Sequence, residues 1–190
     1  MPRGFSSKNN HTKEIILTIA QVGCFLIAAT SPYFLHNIVK RYFKTTNQKG
    51  LREKARRLYY LKRKRIVNFE KLPDGSIKIT LSQNGQKLLR QYKLDEMKLQ
   101  RPRNWDGYWR VIIYDIPTRQ RRASNAFRLK LRQLGLYQLQ KSVWVSPFEC
   151  SAELDFLCAI FGLNMESVIY YFKTKEIPKT KELKSFFKLA

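Results

Sequence analysis

The front half of the chain shows apolar positions at helical spacing, interrupted once by strand-like alternation. The pattern predicts helices over about 12–29, 33–43, 48–64 and 83–93, and strands over 66–71 and 76–82. Asp74-Gly75 lies between the two strands and is a typical hairpin turn. Thr46 or Asn47 can cap the third helix, and Ser82 can cap the fourth. Three helices followed by a two-stranded wing are the order of a winged helix-turn-helix domain.

The segment 15–35 is strongly apolar and admits two interpretations. Glu14 precedes it, Gln21 lies in its middle, and Pro32 interrupts it near the end. Its clean apolar stretch is about 15 residues, whereas a membrane-spanning helix needs about 20. The sequence therefore favours a buried core helix, with membrane insertion or a signal peptide as the alternative.

The back half alternates strands with amphipathic helices. The pattern predicts strands over 109–116, 139–147 and 166–174, helices over 119–134 and 151–163, and a terminal helix or arm over 179–189. Strand 109–116 is apolar on both faces, as is typical of a strand covered on both sides. The order predicts a ferredoxin-like layer of helices on a small sheet, so the fold class of the chain is α+β.

A polar stretch with turn residues separates the two halves. It contains Pro102 and the Asp106-Gly107 turn signal. We therefore assign 1–93 to the winged helix domain, 94–106 to a linker and 107–190 to the ferredoxin-like domain.

The net charge narrows the class of partner. The chain has 37 Lys and Arg against 14 Asp and Glu, which gives a formal net charge of +23. Such an excess opposes a compact monomer by self-repulsion unless a polyanion neutralises it. Nucleic acid is the expected partner, and an anionic membrane surface is the runner-up.

The cysteines suggest no special chemistry. Cys24, Cys150 and Cys158 form no CxxC pair. The pattern supports neither a zinc site nor a disulfide framework, and it favours reduced thiols in a cytoplasmic protein.

The third predicted helix carries the candidate DNA-binding surface. Leu51, Ala55 and Leu58 share one side and form an apolar stripe for the core. The candidate DNA-binding residues are Lys49, Arg52, Arg56, Tyr60, Arg63 and Lys64 of the helix region, with Lys71 and Lys78 on the wing. A cationic helix face can also be merely solvated, but the third position ahead of a hairpin favours a helix in the major groove.

The back half adds a second basic surface and a set of strand aromatics. The secondary basic patch consists of Arg119, Arg121, Arg122, Arg128 and Arg132. A small sheet with helices on one side leaves a face to be covered, so strand aromatics imply an interface between two copies. The candidate dimer residues are Trp109, Trp144, Tyr170 and Tyr171.

Residues 105–150 resemble the central domain of PaaX-type transcriptional repressors. The matching features are Asp115-Ile116-Pro117 at the end of a strand, an Arg-rich helix closing on Leu134-Gly135, and the segment 140–143, QKSV. That domain is similar to the CRISPR-associated Cas-two endonuclease, a ferredoxin-like dimer, and the resemblance implies a winged helix ahead of it. Full-length repressors carry a further C-terminal domain associated with sensing a coenzyme A thioester. This chain ends soon after its last strand, so we expect no small-molecule effector.

The resemblance gives Asp115 two interpretations. In the endonuclease family, an aspartate at this position pairs with its two-fold mate to hold one divalent metal, and hard carboxylate oxygens suit Mg²⁺. Alternatively, Asp115 caps or orients the turn around Pro117, and Arg119, Arg121 or Arg122 neutralises it. The structural interpretation is favoured.

Together these features predict a double-stranded DNA-binding transcriptional regulator, a dimeric PaaX-like repressor that needs no cofactor and is not an enzyme. The alternative is a Mg²⁺-dependent Cas-two-like nuclease that uses Asp115 for catalysis and metal binding.

Overall fold

The computed structural model describes residues 7–28, 34–43 and 47–189. It divides into two compact units, Met1–Asp95 (unit 1) and Glu96–Ala190 (unit 2). The chain is a mixed α and β protein in which both sheets are antiparallel.

The described residues of unit 1 form four helices and one small sheet. Its elements are α1 Ser7–Val22, β1 Phe25–Ala28, α2 Phe34–Tyr42, α3 Gln48–Arg63, β2 Val67–Lys71, β3 Ser76–Leu81 and α4 Gln83–Glu96. The strands are ordered β1-β3-β2. The core lies between the sheet and the helices, where Ile19, Ile38, Leu58 and Ile79 are fully buried.

The first predicted helix is shorter than its apolar pattern suggested. It ends at Val22, Gly23 follows with φ +80°, and Phe25–Ala28 forms a strand paired with β3. Phe25 is fully buried and stacks on Tyr42 at 4.4 Å between ring centroids. Because a short apolar run suits a buried strand and a buried helix equally well, the pattern alone did not show the break.

The segment 15–35 is thus divided between α1, β1 and the start of α2, and Pro32 lies outside the described residues. In the described ranges, no helix has both the length and the apolar character needed to cross a membrane.

Unit 2 is built on a four-stranded sheet. Its elements are β4 Trp109–Tyr114, a 3-10 turn Thr118–Gln120, α5 Arg121–Gln133, β5 Tyr137–Gln140, β6 Val143–Ser146, α6 Ser151–Phe161, α7 Met165–Val168, β7 Ile169–Thr174 and α8 Thr180–Phe187. The strand order is β5-β6-β4-β7. With α7 set aside as a single helical turn, the chain runs β-α-β-β-α-β, the order of ferredoxin-like units.

One strand predicted over 139–147 is a hairpin. Tyr137 pairs with Val145 and Gln140 with Val143, so the chain turns at Lys141-Ser142. That turn contains neither glycine nor asparagine, and Ser142 alone is a weak turn signal. The sheet consequently has four strands where three were predicted.

The two tryptophans proposed for a dimer interface lie on opposite faces of this sheet, and both are fully buried within unit 2. Trp144 pairs with Ile112 and shares its face with Tyr114, against which Phe127 of α5 packs at 5.2 Å. Trp109 is on the other face, where α8 covers it through Leu183 and Phe187. Placing Trp109 and Trp144 on an exposed dimer surface was therefore wrong.

A buried arginine holds the predicted linker onto the sheet of unit 2. The guanidinium of Arg110 donates two hydrogen bonds to the carboxylate of Asp106, at 2.7 and 2.6 Å, and one to the carbonyl of Pro147 at 2.7 Å. Glu149 extends the network, since it accepts from the Tyr171 hydroxyl at 2.6 Å and pairs with Lys173 at 2.9 Å. The linker residues nearest the sheet are thus fixed to it.

Gly85 permits close packing of α4 on the start of β2. The amide of Gly85 donates to the Ser82 hydroxyl at 3.1 Å, which confirms the predicted cap, and a Cβ at position 85 meets the Ile66 carbonyl oxygen at 2.2 Å. We expect Gly85→Ala to lower the free energy of unfolding by about 1–3 kcal/mol, although Gly→Ala inside a helix is ordinarily stabilising. Urea unfolding checks this against Gln86→Ala at the next, exposed position. Stabilisation by Gly85→Ala would contradict the packing.

The Glu149 network predicts a pH-dependent contribution to stability. Burial raises the pKa of Glu149, but hydrogen bonds from Tyr171, Lys173 and Ser151 outweigh it and bring the pKa to about 2. Because this value lies below that of an ordinary glutamate, the stabilisation is complete above pH 4.5 and is lost as pH falls toward 2. Glu149→Gln is expected to lower Tm at neutral pH and to converge with the parent protein across that range. Glu153→Gln is the control, and a pH-independent Tm difference for Glu149→Gln is the contrary result.

Candidate nucleic-acid interface

The third helix begins at a fixed cap and presents an apolar side to the core. The Asn47 side chain accepts a hydrogen bond from the Lys49 amide at 2.8 Å, as predicted for one of the two candidate caps, while Thr46 lies outside the described residues. Ala55, Leu58 and Leu61 are buried. Leu61 extends the predicted apolar stripe, and Leu51 packs at its edge.

Polar contacts with α1 fix the rotation of α3 about its axis. The ammonium of Lys54, 6% exposed, pairs with the Glu14 carboxylate at 2.6 Å and lies 4.9 Å from the centre of the Phe43 ring. The guanidinium of Arg57 donates to the hydroxyl of Thr12, which lies on α1 as Glu14 does. These contacts direct Lys54 and Arg57 toward α1. Because the rotation of α3 is thereby fixed, Arg52, Arg56 and Arg63 are exposed to solvent.

The six residues of the α3 region that are predicted to contact DNA are exposed. They are Lys49, Arg52, Arg56, Tyr60, Arg63 and Lys64. Tyr59 was missed by sequence reasoning, yet it is 55% exposed. Its signal was present in the sequence, because Arg52, Arg56, Tyr59 and Arg63 follow the i, i+4, i+7, i+11 spacing of one helical stripe.

This stripe borders a groove between α2 and α3 with a volume of about 630 Å³. Leu35 and His36 of α2 form its opposite wall. The groove therefore has an aromatic and cationic wall from α3 and a partly apolar wall from α2. Such a combination can contact both phosphate oxygens and the apolar parts of bases.

Tyr60 is held in place by neighbouring cations. The Arg57 guanidinium lies 4.5 Å and the Lys64 ammonium 5.8 Å from the centre of its ring. Cation–π contacts at exposed sites each stabilise a ring by only about 0.5–1 kcal/mol, but together they limit the orientations of the Tyr60 ring.

The hairpin β2–β3 has the predicted turn, but its two lysines differ in placement. The Asp74 carboxylate accepts from the amide and hydroxyl of Ser76, and these hydrogen bonds lower the pKa of Asp74. Lys71 pairs with Ile77, whereas Lys78 pairs with Glu70. Since side chains alternate along a strand, Lys71 and Lys78 project from opposite faces of the sheet. One face of the hairpin therefore does not carry both predicted contacts.

The secondary basic patch of unit 2 is largely exposed. Arg119, Arg121, Arg122 and Arg132 are exposed, while Arg128 is half-buried. Arg128 donates from Nε to the Tyr114 hydroxyl at 3.2 Å, and Arg132 donates to the Gln138 side chain at 3.2 Å. The patch thus contains one arginine fixed against the sheet and several that extend into solvent.

Asp115 is exposed at the end of β4. Its amide donates to the Val168 carbonyl at 2.9 Å, which extends the pairing with the chain near β7. Its carboxylate makes no hydrogen bond or ion pair with any residue that the structure describes, so neither the capping interaction nor the salt bridge expected for it is present. Nor do the described residues contain a group of three or more His, Cys, Asp or Glu side chains placed to hold a metal ion.

Residues 102–185 match the family model of the PaaX protein central Cas2-like domain. Unit 2 is similar to the PaaX central domain. The resemblance to PaaX-type proteins is therefore confirmed over this range. No curated protein matches the chain.

The segments that carried the resemblance lie at the ends of helices and strands in this PaaX-like domain. Asp115-Ile116-Pro117 connects β4 to α5, Gly135 ends α5 with φ +84°, and Lys141-Ser142 is the hairpin turn. The proposed dimer tyrosines differ: Tyr170 is 70% exposed, whereas Tyr171 is half-buried and donates to Glu149. Of the predicted aromatic set, Tyr170 thus offers the largest free surface.

Proposed function

We propose that the chain is a transcriptional regulator that binds double-stranded DNA specifically and acts as a dimeric PaaX-like repressor. The observation that carries this proposal is the exposed Arg-Arg-Tyr-Arg stripe of α3, formed by Arg52, Arg56, Tyr59 and Arg63. The PaaX-like domain in the same chain supports a regulatory role rather than catalysis.

The element order of unit 1 supports a winged helix. The order α1-β1-α2-α3-β2-β3 has α3 as the third helix and β2–β3 as the wing. In helix-turn-helix domains the recognition helix lies in the major groove. An α-helix with its side chains is about 10–12 Å across, so a major groove about 12 Å wide accommodates α3, whose 16 residues span about 24 Å.

The side chains of α3 divide by chemistry into two roles. Arg52, Arg56 and Arg63 carry planar guanidinium groups that match the acceptor edge of guanine, and the Tyr59 ring offers an apolar contact for a thymine methyl. Lys49 and Lys64, at the two ends of the helix, are suited to phosphate contacts. The helix thereby combines positioning with base recognition.

Dimerisation is proposed through the open part of the unit 2 sheet. Tyr170 pairs with Ile113, which pairs with Val143, so these residues form one row across three strands. Phe172, on the same face, is 46% exposed. Burying this row against a second copy removes apolar surface from water and joins two copies of α3 in one dimer, as recognition of two half-sites requires.

Replacing Arg56 tests the role of α3. Footprinting on the DNA upstream of the gene for this protein first identifies an operator. Arg56→Gln is expected to weaken binding to that operator by about 1–3 kcal/mol and to relax specificity at one base position. Fluorescence anisotropy with a labelled duplex measures the loss. Arg90→Gln removes the same charge from an exposed position on α4 and is the matched control. Equal losses in the two variants would show that net charge, rather than α3, determines the affinity.

The salt dependence of binding tests the phosphate contacts. Log affinity is expected to fall linearly and steeply with log salt concentration, since each neutralised phosphate releases counterions. Lys49→Gln should reduce the slope by about one and weaken operator and unrelated duplexes alike. A flat dependence would contradict phosphate binding as a main source of affinity.

The nuclease alternative has its own readout. Labelled DNA and RNA are incubated with the protein, with and without Mg²⁺. Cleavage that disappears in Asp115→Ala would replace the regulator proposal with the enzyme, whereas intact nucleic acid together with operator binding supports regulation.

A further inference from the structure

We propose that unit 2 contains a separate phosphate-binding site in the cavity beside Asp115. The cavity has a volume of about 460 Å³ and is formed where the end of β4, the first two turns of α5 and the β5–β6 turn meet. This inference concerns unit 2 alone and does not depend on DNA binding by α3.

One wall of the cavity is a polar stripe along α5. Its residues are Arg121, Ser124, Asn125 and Arg128. They follow the i, i+3, i+4, i+7 spacing, which places all four on one side of the helix. Lys141 and Ser142 from the hairpin turn form the facing wall. The cavity therefore gathers cations, hydroxyls and an amide, which are the donors that bind phosphate oxygens.

Arg128 is already oriented toward such a role. Its Nε donates to the Tyr114 hydroxyl at 3.2 Å, and that hydroxyl donates to the Lys141 carbonyl at 3.3 Å. Tyr114 is buried, so the chain of hydrogen bonds ties Arg128 to the hairpin turn through a fixed ring. An arginine held at Nε keeps its terminal nitrogens for a second acceptor, and phosphate accepts from such a pair in a bidentate manner.

The charge balance of the cavity favours an anion over a metal cation. Arg121, Arg128 and Lys141 contribute three positive charges, while Asp115 contributes one negative charge. None of the ion pairs between described residues involves these four side chains, so no carboxylate elsewhere in the described chain neutralises the three cations. A divalent cation at the Asp115 carboxylate alone faces net repulsion, whereas a phosphate dianion is attracted.

A pair of matched double variants tests the site in the full-length protein. Arg121→Gln with Lys141→Gln removes two exposed cavity cations, and Arg119→Gln with Arg122→Gln removes two exposed arginines that do not line the cavity. Circular dichroism confirms that both fold. Calorimetric titration with pyrophosphate at physiological salt should show an affinity reduced roughly tenfold in the cavity variant and less than twofold in the control. Equal losses in the two variants, or no change in either, would overturn the proposal.

Asp115→Asn is expected to change the pyrophosphate affinity in the opposite direction. Removing the only cavity carboxylate is expected to tighten pyrophosphate binding by roughly threefold. During the titration, the backbone amide resonances of Ser124, Asn125 and Ser142 should shift more than those of the control positions. Weaker binding in Asp115→Asn, or shifts confined to unit 1, would contradict a phosphate site here.

Binding of a DNA duplex by the two double variants distinguishes the two possible sources of the phosphate. If the site holds a DNA backbone phosphate, the cavity variant binds a duplex more weakly than the matched control does and shows a smaller salt slope. If the site serves a small phosphorylated molecule, both double variants bind the duplex equally, and pyrophosphate affinity alone separates them. Because Arg56→Gln acts only on α3, its result separates failure of this inference from failure of the proposed function.

Discussion

The orientation of α3 depends on the side that it buries, where the ammonium of Lys54 pairs with the carboxylate of Glu14 beside Ala55, Leu58 and Leu61. The helix carries cations around most of its circumference, and a buried cation is costly unless it has a partner. Among the cations of α3, all of them described, Lys54 alone is buried, and α1 supplies its carboxylate. With Lys54 directed inward and Arg57 bonded to Thr12, the stripe from Arg52 to Arg63 faces outward. The burial of Lys54 thus leaves Arg52, Arg56 and Arg63 exposed and available to a ligand.

Much of this arrangement could be predicted from the sequence, because the signals were local. The helical period of Ala55 and Leu58, the Asn47 cap and the Asp74-Gly75 turn each act within a few residues, and all three are present in the structure. β1 could not be predicted in the same way, since Phe25 is in a strand only because β3 lies beside it. Buried apolar runs lack the alternation that separates strand from helix.

In unit 2 the predictions were wrong where the position of a residue depends on distant parts of the chain rather than on the local sequence pattern. Trp109 and Trp144 were predicted to lie at an interface, yet α8 covers the first, and the second is buried on the face against which α5 packs. The chain turns at Lys141-Ser142 without glycine, proline, asparagine or aspartate, so the pattern predicted one strand where the structure has a hairpin. The resemblance to PaaX-type proteins was less affected, because two of its three features, Asp115-Ile116-Pro117 and Leu134-Gly135, lie at element ends, and only segment 140–143 falls on the hairpin.

The position of β7 has a consequence for how the protein must be handled. It is the last strand of its sheet and bears the exposed rings of Tyr170 and Phe172. An aromatic edge of this kind is a template for uncontrolled strand pairing. Each copy carries a formal net charge of +23, and the resulting repulsion opposes such uncontrolled pairing. Salt screens this repulsion, so the net charge protects the exposed edge of β7 least at high ionic strength.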